Sequence, residues 1–567
     1  MEGETLSNLQ KLELRWFNKD KKIVVEPRIL IEKPELGSYA LDKNNSSNNL
    51  LIHGDNLLAL KALEGKFTNS INCIYIDPPY NTGSAFEHYD DNIEHSTWLS
   101  LMSPRLLLLR KLLSDTGVIF IHIDNNEYAY LKVLCDEIFG RKNYMDTLIP
   151  VMNPRGNQAN KYIATMHEYI LVYAKNIDKV KFNKLELSDE QKKEYSQLDK
   201  VKGLNYREIG LRKRGAGARR IDAPNQWYPI FYNPLTEHIS INENEINQDY
   251  VKILPMLSNG EEGRWRWSFK SVEEKSEHLV VRKVRRGHSF EYDVFQKDYL
   301  TEDKRTKIKS IIDVATNNEI ATRHLKELGI PFDNPKPEGL IKQILEIGSS
   351  EGDIVLDSFL GSGTTAAVAH KMKRRWIGIE MGDQAYTHCK VRLDKVISNQ
   401  DSGEITTEVN WKGGGGYKFY EVAPTLIKKD TFGQHIINPE YNPEMLASAV
   451  AKHEGYVFNP HENIYWKQAK TNENSYLFVT TRHMSRELME SIYQSMSEGE
   501  FLLIVCRSFD ASAEKSFKNI NVKKIPQSLL KNCEFDVENY NLNIVNPPIY
   551  QEDGIEDDLF TEWEDEK

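Results

Sequence analysis

The chain has 567 residues, 40% hydrophobic and 28% charged, with a mean hydropathy of −0.56; this excludes collagen-like, low-complexity and wholly disordered classes and predicts three or four domains at roughly 150 residues each. Its 73 basic and 84 acidic residues give a net charge of −11, but residues 431–567 hold 12 basic against 23 acidic while residues 201–310 hold 21 against 16. An acidic C-terminal part joined to a locally basic middle is compatible with a polyanionic partner, so the overall charge excludes little.

Residues 1–49 read as a polar N-terminal extension ending in a run of Asn and Ser. Leu50, Leu51 and Ile52 predict a short buried strand ending at His53-Gly54-Asp55-Asn56, followed by leucines at helical spacing over 57–63. Residues 71–76 predict a second strand stopped by two prolines, 98–113 a leucine-rich helix, 118–123 a third strand and 127–139 an amphipathic helix. This alternation over 50–150 predicts an α/β fold, doubly wound around a mostly parallel sheet with both faces covered. One further strand is expected at 168–173, but the rhythm is lost over 151–330, an Arg- and Trp-rich stretch that reads as an insert. It resumes over 331–412, with helices at 339–347, 364–372 and 384–396 and strands at 354–357 and 376–379. Four glycines at 413–416 open a linker over 413–430. Residues 431–567 predict a C-terminal α/β domain, with strands at 476–479 and 501–505, a helix at 485–495 and a solvated acidic tail.

Two motifs carry chemistry. The first, Asp77-Pro78-Pro79-Tyr80, stands at the carboxyl end of a predicted strand, where open α/β sheets bind ligands. The lone pair of an aromatic amino group is delocalised into its ring, and two hydrogen-bond acceptors on that group pull the nitrogen toward tetrahedral geometry. The Asp77 carboxylate and the Pro78 carbonyl can supply them; the prolines fix φ and hold that carbonyl outward. Tyr80 offers a flat face for stacking a base taken out of a duplex. A plain strand-ending turn fits the same four residues.

The second motif runs Ile354-Val355-Leu356-Asp357-Ser358-Phe359-Leu360-Gly361-Ser362-Gly363-Thr364-Thr365-Ala366: strand, glycine turn, helix. Gly361 and Gly363 allow close approach of the backbone to a ligand. Glu380, at the end of the next strand, is placed to bind the two ribose hydroxyls of a nucleoside. Taken alone the pattern also fits a dinucleotide site or a packing turn. A dehydrogenase has no use for a rigid Asp-Pro-Pro-Tyr at a neighbouring strand end, whereas an amino-methyltransferase needs both parts.

On these residues the chain resembles the DNA amino-methyltransferases, specifically the circularly permuted β class, in which the catalytic tetrad precedes the recognition domain and the Phe-x-Gly-x-Gly motif follows it. The resemblance covers 50–396 outside the insert. It implies a Rossmann-like methyltransferase sheet, S-adenosylmethionine as cofactor and base flipping in double-stranded DNA. His53-Gly54-Asp55-Asn56 resembles the strand-end acid near the cofactor's adenine, giving Asp55 that role, and Asn81-Thr82-Gly83 resembles the usual continuation of the tetrad. Trp98 through Arg105-Leu106 resembles the helix after the catalytic loop, and His167-Glu168-Tyr169-Ile170-Leu171-Val172-Tyr173 a strand flanking the target-base pocket. Asn334-Pro335-Lys336-Pro337 places Lys336 near the methionine part of the cofactor, and Phe359 looks like the residue packing on it. With Asp357, Gly361, Gly363, Thr364 and Glu380 these complete the implied cofactor set. Ser358 departs from the frequent proline. Asp at the first tetrad position is typical of adenine-N6 enzymes and Ser of cytosine-N4 enzymes, which favours N6-methyladenine.

Three basic clusters punctuate the insert, carrying Arg212, Lys213, Arg214, Arg219 and Arg220; Arg264 and Arg266; and Arg282, Arg285 and Arg286. Most are expected to position the DNA backbone rather than read bases. Trp265 and Trp267 read as core residues. Neither zinc-finger spacing nor a helix-turn-helix is evident.

The five cysteines, Cys73, Cys135, Cys389, Cys506 and Cys533, form no C-x-x-C pair, no apolar run reaches the roughly 18–20 residues of a membrane span, and residues 1–20 lack a signal-peptide core. No metal and a cytoplasmic location are therefore expected, and the family resemblance implies a bacterium or archaeon. Length, insert and C-terminal region look most like the modification subunit of a type III restriction–modification system, which implies a homodimer and a separate restriction (helicase–nuclease) subunit. No nucleotide-binding G-x-x-x-x-G-K-[S/T] occurs in the chain. The alternatives are a stand-alone β-class methyltransferase, cytosine-N4 specificity, a non-catalytic DNA-binding module and a nicotinamide dehydrogenase.

Overall fold

The computed structural model describes residues 13–21, 24–38, 49–81, 95–156, 162–286, 289–313, 318–403, 405–472, 474–513, 516–529 and 535. Thr82, Gly83, Cys533, the acidic tail and the side chain of Arg286 lie outside the described residues. The chain divides into two compact units, one of residues 1–183 with 308–567 and one of residues 184–307. Among the described residues no helix is long and apolar enough to cross a membrane.

The larger unit is built on a ten-stranded sheet. In chain order its strands are β1 (Leu30–Glu32), β2 (Leu50–His53), β3 (Ile71–Ile76), β4 (Leu113–Ile123), β5 (Tyr144–Val151), β6 (Tyr169–Ala174), β7 (Ile311–Asp313), β8 (Ile354–Asp357), β9 (Arg375–Glu380) and β10 (Lys418–Val422). Across the sheet they run β1-β10-β2-β9-β8-β3-β4-β6-β5-β7. The six from β10 to β4 are mutually parallel; β6 is antiparallel to both β4 and β5. The expected doubly wound, mostly parallel sheet is present. Strand β3 is buried at five of six positions, as a strand covered on both faces must be.

Helices α1 (Asn56–Phe67) and α2 (His95–Leu112) cover one face through Leu60, Leu63, Trp98, Met102, Leu106 and Leu109. Leucines and tryptophan recur there at helical spacing, and their burial holds the helices on the sheet. Later helices are α3 (Tyr128–Cys135), continued by a π turn over Asp136–Gly140, α4 (Asn318–Glu327), α5 (Glu338–Gly348), α6 (Thr364–Lys371) and α7 (Val391–Ile397).

Three boundaries differ from those the sequence suggests. The insert is residues 184–307 rather than 151–330, because β5, β6 and β7 complete the main sheet on either side of it. The expected linker over 413–430 contains β10, which pairs with β2 from Lys418–Leu50 to Glu421–His53. The N-terminal extension supplies β1, antiparallel to β10.

The C-terminal part adds a five-stranded sheet ordered Val457–Phe458, Ala469–Asn472, Ser475–Met484, Phe501–Phe509, Ile520–Lys524. Its last three strands are parallel, and the expected helix is present at Arg486–Ser495. It is tied to the segment before β1 and to α1 by the half-buried Lys452, whose Nζ donates to the carbonyls of Arg28 (2.9 Å) and Ala62 (2.8 Å); desolvation lowers this lysine's pKa to about 8.

The smaller unit holds a four-stranded antiparallel sheet (Leu279–Arg286, Ser289–Tyr299, Leu204–Gly210, Gln197–Asp199) and a three-stranded one (Ile239–Ser240, Ile230–Tyr232, Val251–Ile253). Its core includes Leu211, Ile230, Trp265 and Val294, with Trp267 packed against them, as expected of both tryptophans.

Candidate active site

Strands β3 and β8 are parallel neighbours, Val355 opposite Cys73 and Leu356 opposite Ile74. Their carboxyl ends therefore deliver the Asp77 loop and the glycine turn to one edge of the sheet. Pro78 is buried. The Trp98 indole N–H donates to the Pro79 carbonyl at 2.7 Å, which fixes the loop from behind. Among the described residues no donor reaches the Pro78 carbonyl.

Around Asp77 the structure gathers groups from four segments. The Tyr80 hydroxyl donates to Asp77 Oδ1 (2.7 Å) and lies 3.0 Å from Glu168 Oε2. Lys336 Nζ donates to the Tyr80 oxygen (2.8 Å) and stands 3.2 Å from Asp77 Oδ2 and 3.3 Å from Glu168 Oε2. The same ammonium lies 4.8 Å from the centre of the Tyr80 ring. Behind Glu168, at 2.8 Å, is Nε2 of the fully buried His122, whose Nδ1 pairs with the Tyr75 hydroxyl at 2.8 Å. Burial works against the charge on Lys336, but the carboxylates of Asp77 and Glu168 outweigh it and raise its pKa. Burial also disfavours ionised Glu168, yet Lys336 and His122 hold its pKa well below the ordinary carboxylate range. Burial, with Asp77 and Glu168 beside it, pushes the Tyr80 phenol up, so it remains a donor.

His122 is a site group that sequence reasoning passed over, and Glu168 is read there only as part of a strand flanking the target-base pocket, with no role of its own. Because β6 runs antiparallel to β4, Glu168 just before its start lies at the same edge as Asp77 just after β3. Lys336, expected near the methionine part of the cofactor, lies among Asp77, Tyr80 and Glu168.

The glycine turn is held by carboxylates. Glu380 Oε2 accepts the Gly361 amide (2.7 Å) and Oε1 the Gly382 amide (3.0 Å); burial raises its pKa, partly offset by these amides. Asp357 Oδ1 accepts the Phe359 amide (2.9 Å), and burial pushes its carboxyl up to about 7, with Asp77 and Glu380 adding to the effect. Gly361 and Gly363 have φ of +54° and +80°, where side-chain-bearing residues are strained. A Cβ at Gly361 would meet nothing nearer than the Phe332 ring at 3.6 Å, whereas one at Gly363 would press on Cys389 at 3.3 Å. Gly363 therefore serves packing rather than ligand approach.

Two more expectations are corrected. Asp55 is buried: Oδ1 accepts the Leu58 amide (3.1 Å), capping α1, and Oδ2 pairs with Arg105 (3.1 Å). Its carboxylate holds α1 to α2 instead of facing a ligand. The Thr364 side chain is likewise buried, its hydroxyl accepting from Arg392 (2.8 Å). Arg392 continues to Glu338 (2.9 Å), Glu338 to Lys371 (2.8 Å) and Lys371 to Asp401 (3.0 Å), which lies 3.2 Å from His324. His324, Glu338 and Asp401 have the composition of a metal site, but two cations already stand among them, and the cluster anchors the helices behind the turn.

The edge fits a nucleoside. Each carboxylate oxygen has two lone-pair positions, so Glu380 can accept hydroxyl donors while keeping its amides. The buried Ser358 hydroxyl beside Asp357 has no hydrogen-bond partner among the described residues.

In the smaller unit the basic clusters sort by environment. Arg212 is nearly buried, bound to the Met256 carbonyl and 3.6 Å from Asp293, so it serves this unit's core and not a surface. Arg219 pairs with Glu261, Arg220 with Glu262 and Arg282 with Glu208; Arg264 reaches Gln226 and the Gly217 carbonyl. Lys213 is half-buried, while Arg214, Arg266 and Arg285 are exposed.

Both the fold and this paired edge define a class, and the chain belongs to it: the DNA methylase family, whose model matches residues 71–390. The chain is 35% identical over 399 residues to the EcoPI Mod subunit of a type III restriction-modification enzyme from Escherichia phage P1, covering 63% of this chain and 60% of that one. It is 33% identical over 410 residues to the probable HindVI Mod subunit from Haemophilus influenzae, covering 67% and 54%. Against the type II methyltransferase M.KpnI of Klebsiella pneumoniae it is 35% identical over 342 residues, covering 58% and 77%. The chain thus spans between 54% and 60% of the two Mod subunits.

Proposed function

We propose that this protein methylates N6 of adenine in double-stranded DNA, with S-adenosylmethionine as donor, after the base leaves the duplex, and that it is the modification subunit of a type III restriction–modification system. The observation that carries this reading is the placement of the Asp77 loop and the glycine turn on neighbouring parallel strands.

S-adenosylmethionine supplies, when bound, an electrophilic methyl on a sulfonium. Glu380 is suited to its ribose hydroxyls, Gly361 and Phe359 to its approach, and Asp357 and Lys336 to its polar ends. Asp77 and the Pro78 carbonyl accept from the target amino group and return its lone pair from the ring. Tyr80, half-buried at the rim, supports the base by stacking. The exposed Arg214, Arg266 and Arg285 bind phosphates, with the paired Arg219, Arg220 and Arg282 available where DNA displaces their carboxylate partners.

Similarity to two Mod subunits supports a type III system, and with it a homodimer, a separate restriction subunit and a cytoplasmic location. Similarity to M.KpnI, matched over 77% of its length, supports a second reading: a methyltransferase without a nuclease partner. Single-molecule sequencing of DNA from cells expressing the protein tests the proposal. The expected result is N6-methyladenine at one recognition sequence; methylation of cytosine alone, or of no base, contradicts it. Co-purification with a helicase–nuclease encoded beside the gene separates the two readings.

A further inference from the structure

Both oxygens of Asp77 are already engaged by the protein's own donors: Oδ1 by the Tyr80 hydroxyl at 2.7 Å, and Oδ2 by the Lys336 ammonium at 3.2 Å. An incoming amino group must share these oxygens with them or take the place of one. The same two donors already touch Glu168 Oε2, at 3.0 and 3.3 Å, and Glu168 Oε1 has no partner among the described residues. Lys336 donates to the Tyr80 oxygen, so the single phenolic hydrogen can serve only one of the two carboxylates at a time.

We infer that Glu168 is a positioning residue that receives Tyr80 and Lys336 when the target amino group takes their place on Asp77. The free site is thus self-occupied, and Glu168 is its built-in relief acceptor. The inference rests on the reading of Asp77 as the amino-group acceptor. His122, buried and bound to the Tyr75 hydroxyl, stands 2.8 Å from Glu168 Oε2. Lys336 is only 8% exposed. Without Glu168, an ammonium leaving Asp77 would be buried without a counter-ion, which is strongly unfavourable, and it would stay where it blocks the base.

The test uses the full chain and a duplex carrying 2-aminopurine in place of the target adenine, whose fluorescence rises when the base leaves the stack and enters the site. At saturating DNA and cofactor, Glu168→Gln is expected to reduce that rise and the methylation kcat on natural DNA by about tenfold, from the loss of a charged hydrogen-bond partner. Cofactor affinity should remain within about threefold, since Glu168 has no share in the glycine turn. In a Lys336→Met background, where only the Tyr80 hydroxyl needs a new partner, Glu168→Gln should reduce base capture by a clearly smaller factor than in the unaltered chain. Glu168→Asp, which keeps the charge but withdraws it, should shift base capture in the same direction and serves if the amide variant fails to fold. Unchanged base capture in Glu168→Gln, or an equal loss in both backgrounds, overturns the inference. Absence of methylation by the unaltered protein overturns the parent reading instead.

Discussion

Asp77 and Asp357 leave adjacent parallel strands at the same edge of the sheet, three residues beyond Ile74 and one beyond its partner Leu356. One backbone register thus brings an amino-group acceptor beside a nucleoside-binding turn, although 280 positions of sequence separate the two. The consequences below follow from the groups around these two acids.

Glu380 holds the glycine turn through the amides of Gly361 and Gly382. Glu380→Ala leaves two backbone donors without their carboxylate and removes the group suited to ribose. Cofactor affinity, measured by calorimetry, should fall on the order of 10- to 100-fold, at about 1–3 kcal/mol for the lost bonds, with little change in DNA affinity.

Burial lifts the Asp357 carboxyl to about 7 from 3.8. The folded protein therefore keeps a proton that the unfolded chain gives up between those values, so this group's contribution to stability is present below pH 3.8 and is lost as pH rises through 7. Asp124, raised to about 6 by burial, acts in the same direction. Asp357→Asn keeps an acceptor for the Phe359 amide without the titration. In thermal melts of the ligand-free protein, the variant should gain on the unaltered chain between pH 5 and pH 8; a constant difference would remove Asp357 from this account.

How far the site could be read from sequence depended on how local its determinants are. The Asp77 loop and glycine turn were legible because strand, proline and glycine signals lie within a few residues of the chemistry. His122 was not, and Glu168 only as part of a strand flanking the base pocket, since their contacts depend on β6 returning antiparallel beside β4, a pairing that no local pattern encodes. Strand β10 follows a glycine run and is buried at only one of its five positions, so its periodicity is weak and its pairing with β2 defines it. Asp55 was assigned to the ligand on a motif, yet Arg105, fifty positions away, claims its carboxylate. Charge clusters likewise could not separate Arg212, which is tucked into the insert's core, from the exposed Arg266.

That separation has its own consequence. Arg214→Ala and Arg266→Ala should each weaken DNA binding across sequences and reduce the slope of log affinity against log salt by about 1. Arg212→Ala should instead lower the melting temperature by disturbing the insert. Fluorescence anisotropy over a salt series, with a melt for each variant, checks both.

Lys371, Glu338, Arg392 and Asp401 form a fully buried ion network behind the turn. Lys371→Met leaves the carboxylates undercompensated and should cost about 3–5 kcal/mol, read as an earlier denaturation midpoint. A midpoint that does not move would mean that the network contributes little.

The central claim is that Asp77 accepts the amino group of the target base beside a bound sulfonium donor. The most direct measurement is nucleoside mass spectrometry of DNA incubated with S-adenosylmethionine and either the unaltered protein or Asp77→Ala, alongside cofactor binding by both. The account predicts N6-methyladenine from the unaltered chain and none from the variant, with cofactor affinity preserved. Near-normal N6-methyladenine from Asp77→Ala would contradict it.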